Sequence, residues 1–137
     1  MRYVTRENSL SATGDVETAL TTLYDDTAPG PIVVPSGMTR IKQIIVAIGC
    51  PNAAADGNAH FLLRMTGSGL VDGEHTFALC NTYQILATAG NTGWGNVPAK
   101  RFDVDIAVKE GNISLFGTQA GGVTVGTPEM VVALGFA

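Results

Sequence analysis

The chain has 137 residues, of which 45% are hydrophobic and only 15% charged, with eight Lys and Arg against twelve Asp and Glu for a net charge of −4. That length suits one domain with a single core, and the composition is globular rather than disordered. Lys100-Arg101 is the only adjacent basic pair, so nothing in the charge pattern marks a nucleic-acid footprint, and direct DNA or RNA binding is not expected. The longest apolar run, Met130 to Ala137, is too short to span a bilayer, and residues 1 to 20 lack the apolar core of a signal peptide. No membrane insertion is expected, and the chain reads as a soluble protein.

In chain order, residues 1–14 hold a short β-prone piece, Arg2-Tyr-Val-Thr5, and then a polar stretch ending at Gly14. This looks like an N-terminal arm ahead of a main domain over residues 15–137. Over Val16 to Tyr24, Leu20, Leu23 and Tyr24 could line a helix turn, but the alternation Val16, Thr18, Leu20, Thr22, Tyr24 fits a strand better. A breaker, Asp25-Asp-Thr-Ala-Pro-Gly-Pro31, separates them from Ile32 to Gly49, where a Pro-Ser-Gly turn leads into a β-branched run suited to a central strand covered on both faces.

Pro51 to Asn58 reads as a loop, and Ala59 to Thr66 as a strand with Phe61, Leu63 and Met65 opposite His60, Leu62 and Arg64. After the turn cluster Gly67 to Gly73, Glu74 to Cys80 and Thr82 to Ala87 give one or two more strands. Thr88 to Pro98 is the densest loop. From 101 to 108, Phe102, Val104, Ile106 and Val108 share one face and Arg101, Asp103 and Asp105 the other. Glu110-Gly-Asn112 is expected to turn a hairpin into Ile113 to Phe116, Gly121-Gly122 leads to Val123 to Val125, and Glu129 to Phe136 closes as an apolar strand.

Eight or nine short strands at this spacing predict an all-β chain, a jelly-roll-like antiparallel β-sandwich. No βαβ spacing, long helical period or internal repeat is visible.

Candidate chemistry is sparse. His60 and His75, with Glu74, lack a metal-ligand spacing. Asp103-x-Asp105 sets two carboxylates on one strand face, where loops could add oxygens for a cation, but the pattern also fits a solvated face. Asp25-Asp26 and Asp56-Gly-Asn58 fall in turns. The glycines of Gly67-x-Gly69 and Gly90-x-x-Gly93-x-Gly95 match no phosphate-binding fingerprint. There is no nucleophile elbow, and Cys50 and Cys80 read as buried free thiols unless their strand ends meet. Asn112-Ile-Ser114 fits a glycosylation acceptor but lacks a secretory context. No catalytic residue, cofactor or metal is expected, and the chain does not read as an enzyme.

The residues that invite contact with another molecule are Tyr3 and Val4 on the arm, and Trp94 with Val97 in the glycine-rich loop. Trp94 could cover its own core, fill a neighbouring subunit's pocket or stack on a sugar.

The run Ile32-Val-Val-Pro-Ser-Gly-Met-Thr-Arg-Ile41, with a polar arm before it and evenly spaced strands after it, resembles the small jelly-roll and β-sandwich proteins that build or decorate viral capsids. The resemblance implies a virion structural protein, assembled in the host cytoplasm, that self-associates and contacts other virion proteins through its arm and loops. Capsid proteins of this kind often carry a basic amino-terminal arm, which this chain lacks, so the resemblance implies no genome binding. A small oligomeric binding module of lectin or tumour-necrosis-factor type, using the Trp94 loop, shares the expected architecture.

Overall fold

A computed structural model of the protein describes residues 1–11, 14–21, 30–49, 57–78, 83–85, 99–120 and 128–137. Ten strands and no helix occur among them: β1 (Arg2–Ser9), β2 (Thr18–Ala19), β3 (Ile32–Val33), β4 (Arg40–Gly49), β5 (Gly57–Thr66), β6 (Glu74–Ala78), β7 (Tyr83–Ile85), β8 (Lys100–Ala107), β9 (Asn112–Ala120) and β10 (Glu129–Phe136). They form two antiparallel sheets, one ordered β1-β10-β4-β8 and the other β2-β9-β5-β6, with β3 also pairing β9 and β7 also pairing β5.

The strands that alternate most cleanly carry the core. Met130, Val132, Leu134 and Phe136 of β10 are buried on one face, in register with Ile48, Val46, Ile44 and Ile41 of β4. Phe61, Leu63 and Met65 of β5 lie beside Gln119, Gly117 and Leu115 of β9 in the other sheet. Among the described residues all the buried apolar side chains join one cluster, with Phe102 and Val104 of β8 and Phe77 of β6 packed at its margin. Burying twenty such side chains at roughly 1.5–3 kcal/mol each is the main force holding the sheets face to face.

Several strands fall where the sequence points, and others differ for physical reasons. The stretch Ile32 to Gly49 is split, because the turn in which Met38 N–H donates to Pro35 C=O at 3.1 Å separates β3 in one sheet from β4 in the other. β4 does lie between β10 and β8, but its outward residues Gln43, Ile45 and Ala47 are only half-buried, so it is covered fully on one face alone. The hairpin expected across Glu110-Gly-Asn112 does not form. β8 and β9 belong to different sheets, and the connection is held by other segments, with Lys109 N–H donating to Gly69 C=O and Val34 N–H to Gly111 C=O. The strand expected over Val16 to Tyr24 is limited to Thr18–Ala19 within the described residues, and Val123 to Val125 lies outside them.

The leading segment takes part in the first sheet. Over Arg2–Ser9 it is the edge strand of the first sheet, paired with β10 from Arg2↔Phe136 to Ser9↔Glu129. Its inward side is unusually polar. Val4 packs against the core, Arg6 is 5% exposed, and Arg6 Nε donates to Gly30 C=O at 2.7 Å while Nη1 donates to Thr5 C=O at 2.9 Å. Asn8 Nδ2 donates to Ala19 C=O at 2.9 Å. These bonds tie β1 to the segments entering β2 and β3 and satisfy carbonyls that would otherwise be left dry.

Candidate interaction surfaces

Because both sheets bury their facing sides, chemistry must come from the outward faces, the edges or the connections. On the outward face of the first sheet, register places Tyr3, Gly135, Gln43 and Asp103 in one row across all four strands. Tyr3 is 49% exposed and its ring lies over Gly135, where a Cβ would come 3.0 Å from Tyr3 Cε1 and 2.6 Å from Met1 Sδ. Tyr3 Oη and the Gln43 amide are 2.6 Å apart. With its nitrogen toward Tyr3, Gln43 turns its oxygen to Arg101, accepting from Nε at 3.2 Å and Nη2 at 3.3 Å, the one orientation that satisfies both neighbours. Arg101 Nε also lies 3.4 Å from Asp103 Oδ1.

The next rows of this face are apolar on the two central strands, with Thr5, Ala133, Ile45 and Arg101 in one and Glu7, Val131 and Ala47 in another. Glu7 is pushed above the ordinary carboxylate range, first by burial and then by the Glu129 carboxylate diagonal to it. Neither Glu7 nor Glu129 has an ion pair among the described residues.

The outward face of the second sheet is clasped by Arg64. Its Nε and Nη2 each donate to Glu17 at 2.8 Å, Nη1 lies 3.4 Å from Glu74, and the guanidinium sits 4.5 Å from the Phe116 ring centroid. The fork-to-fork bond with Arg64 holds the Glu17 carboxyl below its usual range. An open hollow of about 390 Å³ lies between residues 33–38 and Glu110, with Val33 exposed beside it.

Among the described residues, those singled out from sequence do not converge. Tyr3 reaches the outward surface, whereas Val4, its neighbour on the same strand, turns inward to the core. Trp94 and Val97 lie outside the described residues, as do Cys50, Cys80, Asp25, Asp26 and Asp56. His60 points outward on β5 opposite Ala120, whereas His75 points inward on β6 opposite Met65, stacked on Phe77 with ring centroids 6.4 Å apart. Glu74 instead joins Arg64, so these three do not form a site. Asp103 and Asp105 do share the outward face of β8, but they answer to cations. Asp105 is 2.9 Å from Lys42 Nζ and 3.7 Å from Arg40, and its carboxyl is held below its usual range by the Lys42 contact first. Among the described residues no group of three or more His, Cys, Asp or Glu side chains is placed to hold a metal ion.

Sequence reasoning missed the Tyr3–Gln43–Arg101 hydrogen-bond chain and the Arg64 clasp. Both join residues far apart in the chain, and only register could have revealed them. No helix among the described residues is long and apolar enough to cross a membrane. No protein-family model matches the chain, and neither does any curated protein.

Proposed function

We propose that the protein is a jelly-roll β-sandwich that serves as a virion structural subunit, building or decorating a shell by contacts with copies of itself and with other virion proteins. The observation that supports this reading is the nesting of the antiparallel pairs. β1 pairs β10, β2 and β3 pair β9, β4 pairs β8, and β5 pairs β6 and β7. One long hairpin folded over on itself gives that series, and the double-sheet jelly roll built in this way recurs in viral capsid domains and in lectins.

The mechanism is assembly rather than turnover. With a net charge of −4 the subunit leaves genome contact to others, and its place is the virion, assembled in the host cytoplasm. Exposed apolar side chains such as Tyr3, Val33 and Val71 supply contact area at low desolvation cost.

Electron microscopy of the purified protein tests the reading. Shells or extended lattices support it. Small discrete particles that bind glycans, with binding lost in Trp94→Ala, overturn it in favour of an oligomeric binding module.

A further inference from the structure

We infer that the outward face of the β1-β10-β4-β8 sheet is a self-complementary interface, and that its occupant is the same face of a second copy. The inference rests on the self-association part of the reading above and specifies where it takes place.

The pattern of side-chain sizes carries it first. On the two central strands, Ala133 is registered with Ile45 and Val131 with Ala47, so each row pairs a small residue with a large one. A two-fold axis running along the strands between β10 and β4 lays β10 of one copy over β4 of the other. Ile45 then meets Ala133 of the second copy, and Val131 meets Ala47. Every large side chain faces a small one, the interdigitation that packed sheet faces need.

Charge carries it independently. The same operation lays β1 over β8 of the second copy. β1 brings Glu7, half-buried and crowded by Glu129 with no ion pair among the described residues. β8 brings Arg101, on the outward face one row away from the position opposite Glu7. Each interface would set this pair twice, relieving a repulsion that the single subunit holds unrelieved.

Area is sufficient. Four strands spaced about 4.8 Å apart and eight residues rising about 3.3 Å each give roughly 500 Å² per copy, or roughly 1,000 Å² in all, the lower bound of a specific interface. Tyr3 and Met1, two of the exposed large apolar side chains, lie at the end of this face over Gly135.

Charge reversal tests the arrangement, because Glu7 and Arg101 lie on opposite edge strands of one sheet and can couple directly only between copies. Glu7→Lys and Arg101→Glu, measured singly by sedimentation equilibrium with melting curves to confirm folding, should each weaken association by about tenfold or more. The double variant should recover most of that loss. Ala133→Arg, which places a long cation where Ile45 of the second copy would sit, should weaken association as strongly and serves should either reversal unfold the subunit. Association unaffected by these changes, or a double variant no better than the singles, would overturn this face as the interface while leaving self-association intact. A wild-type chain that stays monomeric at every concentration would overturn the self-association as well.

Discussion

Tyr3 and Gln43 meet over the backbone of a strand that lies between theirs. Tyr3 is on β1, Gln43 on β4, and β10 runs between them, yet the phenol oxygen and the amide are 2.6 Å apart because the residue beneath is Gly135. Any side chain there would stand in the path.

Gly135→Ala should therefore cost more than the bond it interrupts. The added methyl would sit 2.6 Å from Met1 Sδ, 3.0 Å from Tyr3 Cε1 and 3.2 Å from Gln43 Cβ, forcing the ring to move. A loss of about 1–2 kcal/mol in urea denaturation is expected, against about 0.5–1 kcal/mol for Tyr3→Phe, which removes only the hydroxyl. Equal losses would mean that Tyr3 does not depend on the glycine.

Gly67 supports a stronger expectation. Its φ is +139°, and a Cβ there would overlap the backbone carbonyl oxygen of Asn112, an atom that cannot rotate aside. Gly67→Ala combines a disfavoured backbone conformation with that clash and should destabilise by about 3 kcal/mol or more. A thermal melt within two or three degrees of wild type would contradict it.

Arg6 is expected to be the most costly polar residue of β1. Replacing it with Met keeps much of the volume but removes the donors to Gly30 C=O and Thr5 C=O, and about 2–3 kcal/mol should be lost on chemical denaturation. Arg6→Lys should recover only part of this, since one ammonium cannot reproduce the fork that reaches Gly30 and Pro31 together.

The acid limb of the stability curve should separate two carboxylates. Glu17, held low by Arg64, stabilises the fold above the unfolded carboxylate pKa of about 4.3, and that contribution goes as pH falls through its depressed folded value. Glu7 has the opposite sign. Its raised folded value opposes folding while it is ionised, and protonation on acidification relieves this first. Glu7→Gln should stabilise the subunit at neutral pH by a few tenths of a kcal/mol, and Glu17→Gln should flatten the loss below about pH 4 by a similar amount, since the pair is partly exposed. Urea titrations at several pH values measure both.

The strands legible in the sequence are those whose inward positions are apolar. Phe61, Leu63 and Met65 of β5, Phe102, Val104 and Ile106 of β8 and the whole of β10 show the two-residue period because alternate residues enter the core. β1 hides its period because two of its inward residues are Arg6 and Asn8, made tolerable by carbonyls from segments elsewhere in the chain. Glu110-Gly-Asn112 misleads for a related reason. A turn looks the same locally whether its strands pair with each other or enter different sheets, and here the partners are β4 and β5. The candidate surface was legible only at Tyr3, since Gln43 and Arg101 join it through a register that no short stretch of sequence contains.

The pairing of β1 with β10 also sets a timetable. During synthesis the first strand is made long before its partner, so the edge of the sheet that carries Tyr3 and Glu7 cannot close until Glu129–Phe136 has left the ribosome. Loop closure between Arg2 and Phe136 makes this a slow, non-local step. A nascent chain thus lacks the finished outward face until β10 has joined the sheet beside β1.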